Sequence, residues 1–410
     1  MKVAIIGGGA AGFFSAIQAK EHHPEAEVCL LEKTNKLLAK VKISGGGRCN
    51  VTNACTSIKE LSDAYPRGGK FLKRLFKEFS TTDTRTWFES RDVPLMVQED
   101  QCIFPVSQDS QSIIDCLIDT CRKLKIKILT KHNVETIERQ NEQLVLGFMN
   151  QDISPMVMDK VILATGGAPK RSGLAWLEAM GHQIADPVPS LFTFNMPRET
   201  ITELMGVVVN PATVGIQGKK LKASGPLLIT HWGMSGPAIL KLSAFGARTM
   251  QELNYRCVAQ VNWVNVKSFD EVLSELHRLK ADAPKKQLNN QRPYLLPIRL
   301  WEYLLQKADL ALDKPWHELG SKSCNRLVTL LTNDEYQVSG KTTFKEEFVT
   351  CGGVSLSSIH PLSLESRVVP GLYFAGELLD IDGITGGYNF QAAWTTGYIA
   401  GQLRSTSYSA

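Results

Sequence analysis

Gly7, Gly9 and Gly12 stand in the spacing Gly-x-Gly-x-x-Gly, and Glu32 follows twenty residues after the last of them. An apolar run, KVAII, precedes these glycines, and a helix-like run, FFSAIQAKE, follows them. This pattern suits the binding of an adenine dinucleotide. Gly7 permits a tight turn and Gly9 lets the backbone approach a diphosphate at a helix N-terminus. Gly12 lets the helix lie close to the sheet, and Glu32 can accept hydrogen bonds from ribose hydroxyls. The fingerprint alone does not choose between NAD and FAD.

A second stretch, KISGGGRCNVTN over residues 42–53, sets Gly45, Gly46 and Gly47 ahead of Arg48, Cys49 and Asn50. Three glycines cost backbone entropy on folding and contribute no core, so a closely approaching ligand is the expected compensation. Arg48 suits a diphosphate or an anionic flavin, and Asn50 and Asn53 can brace the loop through their own backbone. Near the other end, GLYFAGE ends a strand at Gly376 and Glu377, and two glycines precede a helix expected from about Tyr388. Backbone N–H groups at such a helix start would stabilise the charge that gathers at the pyrimidine edge of a flavin on reduction. That chemistry favours FAD.

Cys49 and Cys55 invite comparison with a redox pair. On a helix, six residues turn the second thiol about 240° from the first, so no bridge is expected. Cys116 and Cys121 read as core thiols. His231, beside Trp232, suits either a proton donor or a histidine bonded within a turn, so no catalytic acid or base is assigned, and no metal ligand. Between residues 150 and 330 no second Gly-x-Gly-x-x-Gly follows a strand, so NAD(P)H, if it is the donor, binds transiently.

These residues need elements to hold them. The first glycines lie inside a βαβ unit completed by AEVCLLEK, and KVILATGG over 160–167 supplies another buried strand. β-branched, turn-rich sequence then runs from about 190 to 263, and helical sequence from about 269 to 331. The expected organisation is a first part of a dinucleotide domain at 1–190, an inserted β domain at 191–268, a helical domain at 269–348 and the rest of the dinucleotide domain at 349–410. The segment KFLKRLFKEFS, 70–80, is expected to form a helix with Phe71, Leu72, Leu75, Phe76 and Phe79 facing the core and its cations facing water.

Composition narrows the setting. The chain has 410 residues, 43% of them hydrophobic, and a net charge of +5, too mild to require a membrane or nucleic acid. It contains no apolar run long enough to span a bilayer, and its N-terminal stretch reads as the glycine fingerprint rather than as a signal peptide. Nine irregularly spaced cysteines suit a reducing compartment, so the cytoplasm is expected.

The motifs GGGAAGFFSAIQA, KISGGGRCNVTN, ATGG, THWGMSGPAIL and GLYFAGELLDIDGITGGYNFQAAWTTGYIAG resemble those of the BaiN/YhiN-type flavoproteins, the aminoacetone oxidase family of FAD-binding enzymes. The resemblance spans nearly the whole chain. It implies an α/β fold: a glutathione-reductase-type FAD-binding Rossmann domain interrupted by β-barrel-like and helical insertions. It also implies that Ala11 lies at the diphosphate, Glu32 and Lys33 at the adenosine, and the backbone of Val134 at adenine. Gly376, Glu377 and Asp380 would reach the ribityl chain, with the flavin ring near Asn389 and Phe390. Gly45, Gly46 and Gly47 would let the chain pass against the cofactor without a Cβ clash, so that Gly47 lies at it and Arg48, Cys49 and Asn50 are presented to it. The expected activity is hydride transfer between flavin and a small organic substrate, with NAD(P)H as an optional donor. Two alternatives stay open: an oxidase of an amine-type substrate that uses oxygen, and a flavin-dependent RNA-binding or RNA-modifying protein.

Overall fold

Short apolar runs whose residues are buried on both faces pair in parallel. In the structure, a computed structural model that describes residues 1–342 and 349–405, four of them and the less buried edge strand Lys127–Thr130 form one sheet. Its order is Leu372–Phe374, Lys160–Leu163, Lys2–Ile6, Glu27–Glu32 and Lys127–Thr130. Ile5 stands beside Ile162 on one side and Leu30 on the other, so the fingerprint turn leaves the central strand at its C-terminal end. A ligand of an open α/β sheet is held at that end.

Helix Ala10–His22 packs on the central strand. Ala10–His22 and Tyr388–Gly401 are both largely buried and pack against each other. Their close approach depends on small residues. A Cβ on Gly401 would lie 2.5 Å from that of Gln18, and one on Gly397 would lie 3.0 Å from the Ala11 carbonyl oxygen.

The helix expected at 70–80 is shorter, spanning Gly69–Leu75. Ser80 and Asp83 form a capping box that starts the next helix, Thr81–Glu89, so the chain must turn before it. The expected apolar stripe nevertheless holds, with Leu72, Leu75, Phe76 and Phe79 buried and Lys70, Lys73, Arg74 and Lys77 exposed.

The described residues fall into two compact units, 1–190 with 349–405, and 191–342. The domain boundary expected at 348 adjoins residues outside the described ones. The chain leaves and re-enters the first unit on an antiparallel pair, Ile184–Ser190 and Val349–Val354. Within the second unit, seven antiparallel strands run from Asp334–Ser339 at one edge to Lys341–Thr342 at the other. Gly340 alone joins those two edges, which curls the sheet into a barrel-like form. The helices Phe269–Asp282, Ile298–Lys307 and Ser321–Thr332 share one core with that sheet, in which Trp263, Trp301, Trp316 and Tyr336 are buried. Among the described residues no helix is long and apolar enough to cross a membrane.

Candidate cofactor site

The fingerprint glycines divide by what surrounds them. Gly7 has φ +119, and a Cβ there would lie 2.3 Å from the Ala164 carbonyl oxygen. A Cβ on Gly12 would lie 1.8 Å from the Gly7 oxygen, whereas one on Gly9 meets nothing within 4 Å. Gly7 and Gly12 therefore close the turn against the sheet, and Gly9, the N-cap of helix Ala10–His22, faces open space. Ala11 lies in that helix's first turn, where the unpaired N–H groups attract an anion.

Glu32 ends the second strand and reaches back to the turn. Its carboxylate accepts from the Gly8 N–H at 2.9 Å and from the Thr34 N–H and hydroxyl at 2.8 and 2.9 Å. Lys33 beside it is exposed. The Glu32 carbonyl accepts from the His132 N–H at 2.9 Å, which brings Val134, at the start of strand Val134–Gln140, to the same end of the sheet.

Between Ser44 and Asn50 every residue except Arg48 takes a left-handed backbone conformation. Gly45, Gly46, Gly47 and Cys49 have φ of 57°, 69°, 86° and 63°. A Cβ on Gly46, Gly47 or Gly166 would meet nothing within 4 Å. Arg48, expected to be offered to the cofactor, turns back on its own loop. It donates to the Gly45 carbonyl and to Gln108 Oε1, each at 3.2 Å, with its guanidinium 4.3 Å from the centre of the Phe104 ring. Cys49 also departs from its expected orientation: the positive φ sends its thiol into the core, where burial pushes it up to about 12. Both Cys49 and Cys55 are free thiols, and the chain between them forms a turn and a strand rather than a helix.

Asn50 joins this loop to the last helix. Its carboxamide nitrogen faces the carbonyls of Thr52 and Ile103, and its oxygen accepts from the Gly387 N–H at 3.1 Å. Asn53 donates to the Gly386 carbonyl at 3.0 Å, and the Trp394 indole donates to the Val51 carbonyl at 2.9 Å. The glycine loop and the start of helix Tyr388–Gly401 are thus one rigid assembly. Asn389 is committed to both backbone groups of Gly383, at 2.9 and 3.0 Å, and Phe390 stacks on Trp394. The N–H groups of the first helical turn carry no intrahelical bond and remain available.

Gly376 has φ +73 and lies against the fingerprint helix, since a Cβ there would fall 2.7 Å from that of Ala11. Glu377 pairs with Lys40 at 2.7 Å and accepts from the Thr350 N–H at 2.9 Å. Asp380, half-buried, donates its N–H to the Val354 carbonyl at 2.9 Å.

Sequence reasoning missed the group that anchors the 376–387 loop. Asp382 is wholly buried and accepts from two nitrogens of Arg67, from Nε at 2.6 Å, and from the Ser190 hydroxyl at 2.7 Å. Burial pushes this carboxyl up, and Arg67 and Ser190 pull it back. In the 191–342 unit, exposed His231 sets its ring edge-on to Trp232 at 4.5 Å, and the Trp232 indole donates to Thr193 at 3.1 Å.

A parallel sheet with this fingerprint turn, acidic strand end and interlocked glycine loops defines a dinucleotide-binding α/β oxidoreductase. The family model described as HI0933-like protein Rossmann domain matches residues 1–403, and the chain belongs to that family. It is 28% identical over 409 residues to the 3-dehydro-bile acid delta(4,6)-reductase of Clostridium scindens, covering 98% of each chain. It is also 28% identical over 403 residues to the ribosomal RNA dihydrouridine synthase of Haemophilus influenzae, covering 96% of each. The structure of 3-ketosteroid-delta4-(5alpha)-dehydrogenase from Rhodococcus jostii aligns with a TM-score of 0.50 at 13% identity, over 97% of this chain and 96% of that one, a likeness of fold. The protein is an FAD-dependent oxidoreductase.

Proposed function

We propose that the protein reduces a carbon–carbon double bond conjugated to a carbonyl, with FAD at the fingerprint turn and glycine loops described above and a reduced nicotinamide as a transient donor. The structural observation that carries the FAD assignment is the open space beside Gly9, at the N-terminus of helix Ala10–His22, together with that beside Gly46, Gly47 and Gly166, where a Cβ would meet no atom within 4 Å. Gly9 and Ala11 would hold the diphosphate, Glu32, Lys33 and Val134 the adenosine, and Gly376, Glu377 and Asp380 the ribityl chain. FAD, when bound, supplies hydride transfer at its N5.

The names of the two relatives support the reaction class. One describes reduction of a 3-oxo compound with double bonds at positions 4 and 6, and the other the formation of dihydrouridine from a uracil ring. In both, the bond reduced is conjugated to a carbonyl. The chain's own contribution is positioning. The Lys40 ammonium fixes the Glu377 carboxylate, and Asn50, Asn53 and Asn389 hold the start of the last helix so that its N–H groups face developing negative charge. Cys49, buried with its thiol protonated, takes no part as a nucleophile.

The row of exposed cations at Lys70, Lys73, Arg74 and Lys77 favours a second reading of the substrate, a uridine within RNA rather than a free cyclic enone. The test is anaerobic. The holoenzyme is reduced with NADH or NADPH and then mixed with a cyclic enone, with unmodified ribosomal RNA, or with air. Rapid reoxidation by one of the first two supports the reductase. Fast reoxidation by air with release of peroxide, and none by either acceptor, would instead make it an oxidase. An RNA reaction that weakens steeply with salt selects the second reading.

The glycine loop gives a separate check. Gly46→Val places a β-branched residue at φ +69, where strain on the order of 1 to 3 kcal/mol is expected with or without cofactor. Because the added side chain projects into open space, FAD affinity should fall by more than this strain alone explains. Flavin titration beside apoprotein melting measures both losses. Equal losses would remove this loop from the cofactor site.

A further inference from the structure

Thr350 lies in strand Val349–Val354, on which the chain re-enters the first unit. It is 1% exposed, and its hydroxyl has no hydrogen-bond partner among the described residues. Buried polar groups are almost always bonded, and one left unpaired costs stability, so such an exception calls for a reason. Ser15 carries another buried hydroxyl of this kind, but it is enclosed where Gly397 and Gly401 pack on helix Ala10–His22. The surroundings of Thr350 are different.

Thr350 stands beside Glu377 and Gly167. Its N–H donates to Glu377 Oε1 at 2.9 Å, and a Cβ on Gly167 would lie 2.7 Å from that oxygen and 2.9 Å from the Thr350 Cβ. The preceding residue, Gly166, has φ +78 and borders open space. Two contacts bring this group to the fingerprint: Gly7 lies against Ala164 and Thr165, and Gly376 lies against Ala11. On its other oxygen, Oε2, Glu377 accepts from Lys40 at 2.7 Å. Each carboxylate oxygen thus takes one donor from the chain and can accept another.

We infer that Thr350 is a further cofactor-binding residue, its hydroxyl and the Glu377 carboxylate together holding the ribityl chain of FAD. The inference rests on the FAD reading above and adds to it a residue outside the expected set. A polyol suits this pair, because its hydroxyls donate to the carboxylate and exchange bonds with a threonine that both donates and accepts. A phosphate does not suit it. The Glu377 charge would repel it, and the helix N–H groups at Gly9 and Ala11 attract the diphosphate instead.

Thr350→Val tests this, since it keeps the shape of the side chain and removes only the hydroxyl. The apoprotein should melt at the wild-type temperature or above it, because an unpaired buried hydroxyl gives way to a methyl group. FAD, titrated by flavin fluorescence, should bind about three- to tenfold more weakly. ADP, which has the adenosine and diphosphate but no ribityl chain, should bind the variant and the wild type equally in calorimetry, and Thr350→Ser should keep the wild-type affinity for FAD. Undiminished FAD affinity in Thr350→Val would overturn the inference, and so would an equal loss for ADP. A clear drop in the melting temperature of the Thr350→Val apoprotein would overturn it too, by giving the hydroxyl a partner within the fold. A wild type that binds ADP but not FAD would overturn the FAD reading itself.

Discussion

Gly12→Ala is expected to destabilise the apoprotein by at least about 3 kcal/mol and to abolish FAD binding, whereas Gly9→Ala should leave apoprotein stability unchanged and weaken FAD at least about tenfold. The two positions lie three residues apart in one motif, and the difference comes from their surroundings. A methyl group at Gly12 would lie 1.8 Å from the Gly7 carbonyl oxygen, and the obstacle is backbone. No rotamer change relieves such a clash, so the helix must move off the sheet. That helix is also locked from behind by the close contacts at Gly397 and Gly401. At Gly9 the backbone has an ordinary φ of −93°, and the methyl group meets nothing. Its only cost would be to whatever ligand approaches that surface. Thermal melting of the two apoproteins and flavin titration by fluorescence separate the effects. If Gly9→Ala binds FAD as tightly as the wild type, the diphosphate does not pass over this glycine.

What the sequence could reveal followed from how local each feature is. The fingerprint and the apolar strand runs are local patterns, and residue types there read directly as backbone requirements, whereas the packing of the last helix on Ala10–His22 joins opposite ends of the chain. The glycine loop was legible as unusual backbone, and its three glycines all take the left-handed conformation. Side-chain direction was not. Cys49 takes a positive φ that its residue type does not announce, and this sends its thiol into the core. Arg48 stays on its own loop because Phe104, from a strand more than fifty residues away, offers a ring face for the guanidinium. The end of the helix at Leu75 was set by a capping box on the next element, outside the apolar stripe that suggested its length. Asp382 lay within a motif already recognised, but its partner is 315 residues distant, and an aspartate in a glycine-rich loop reads most simply as a turn residue.

Asp382→Ala is expected to cost about 3 to 5 kcal/mol of stability, because it removes the buried carboxylate that is bonded to the largely buried Arg67 guanidinium. Asp382→Asn keeps the shape but not the charge, so it should fall between that variant and the wild type. The double variant Arg67→Met, Asp382→Leu should recover most of the loss, since an apolar pair of similar volume carries no desolvation penalty. Urea denaturation of all four apoproteins measures the series. The consequence for binding follows from where the pair sits. Asp382 ties the loop carrying Gly376, Glu377 and Asp380 to Arg67 and to Ser190, the last residue before the chain leaves this unit. With that tie cut, the loop is held at its far end by the Asn389 bonds to Gly383, and FAD affinity should fall even where the protein remains folded. The double variant therefore separates two roles. Restored stability with FAD affinity still reduced would assign the ion pair to shaping the cofactor loop, whereas recovery of both would assign it to the fold alone. A loss below about 1 kcal/mol in Asp382→Ala would mean that the loop is anchored elsewhere.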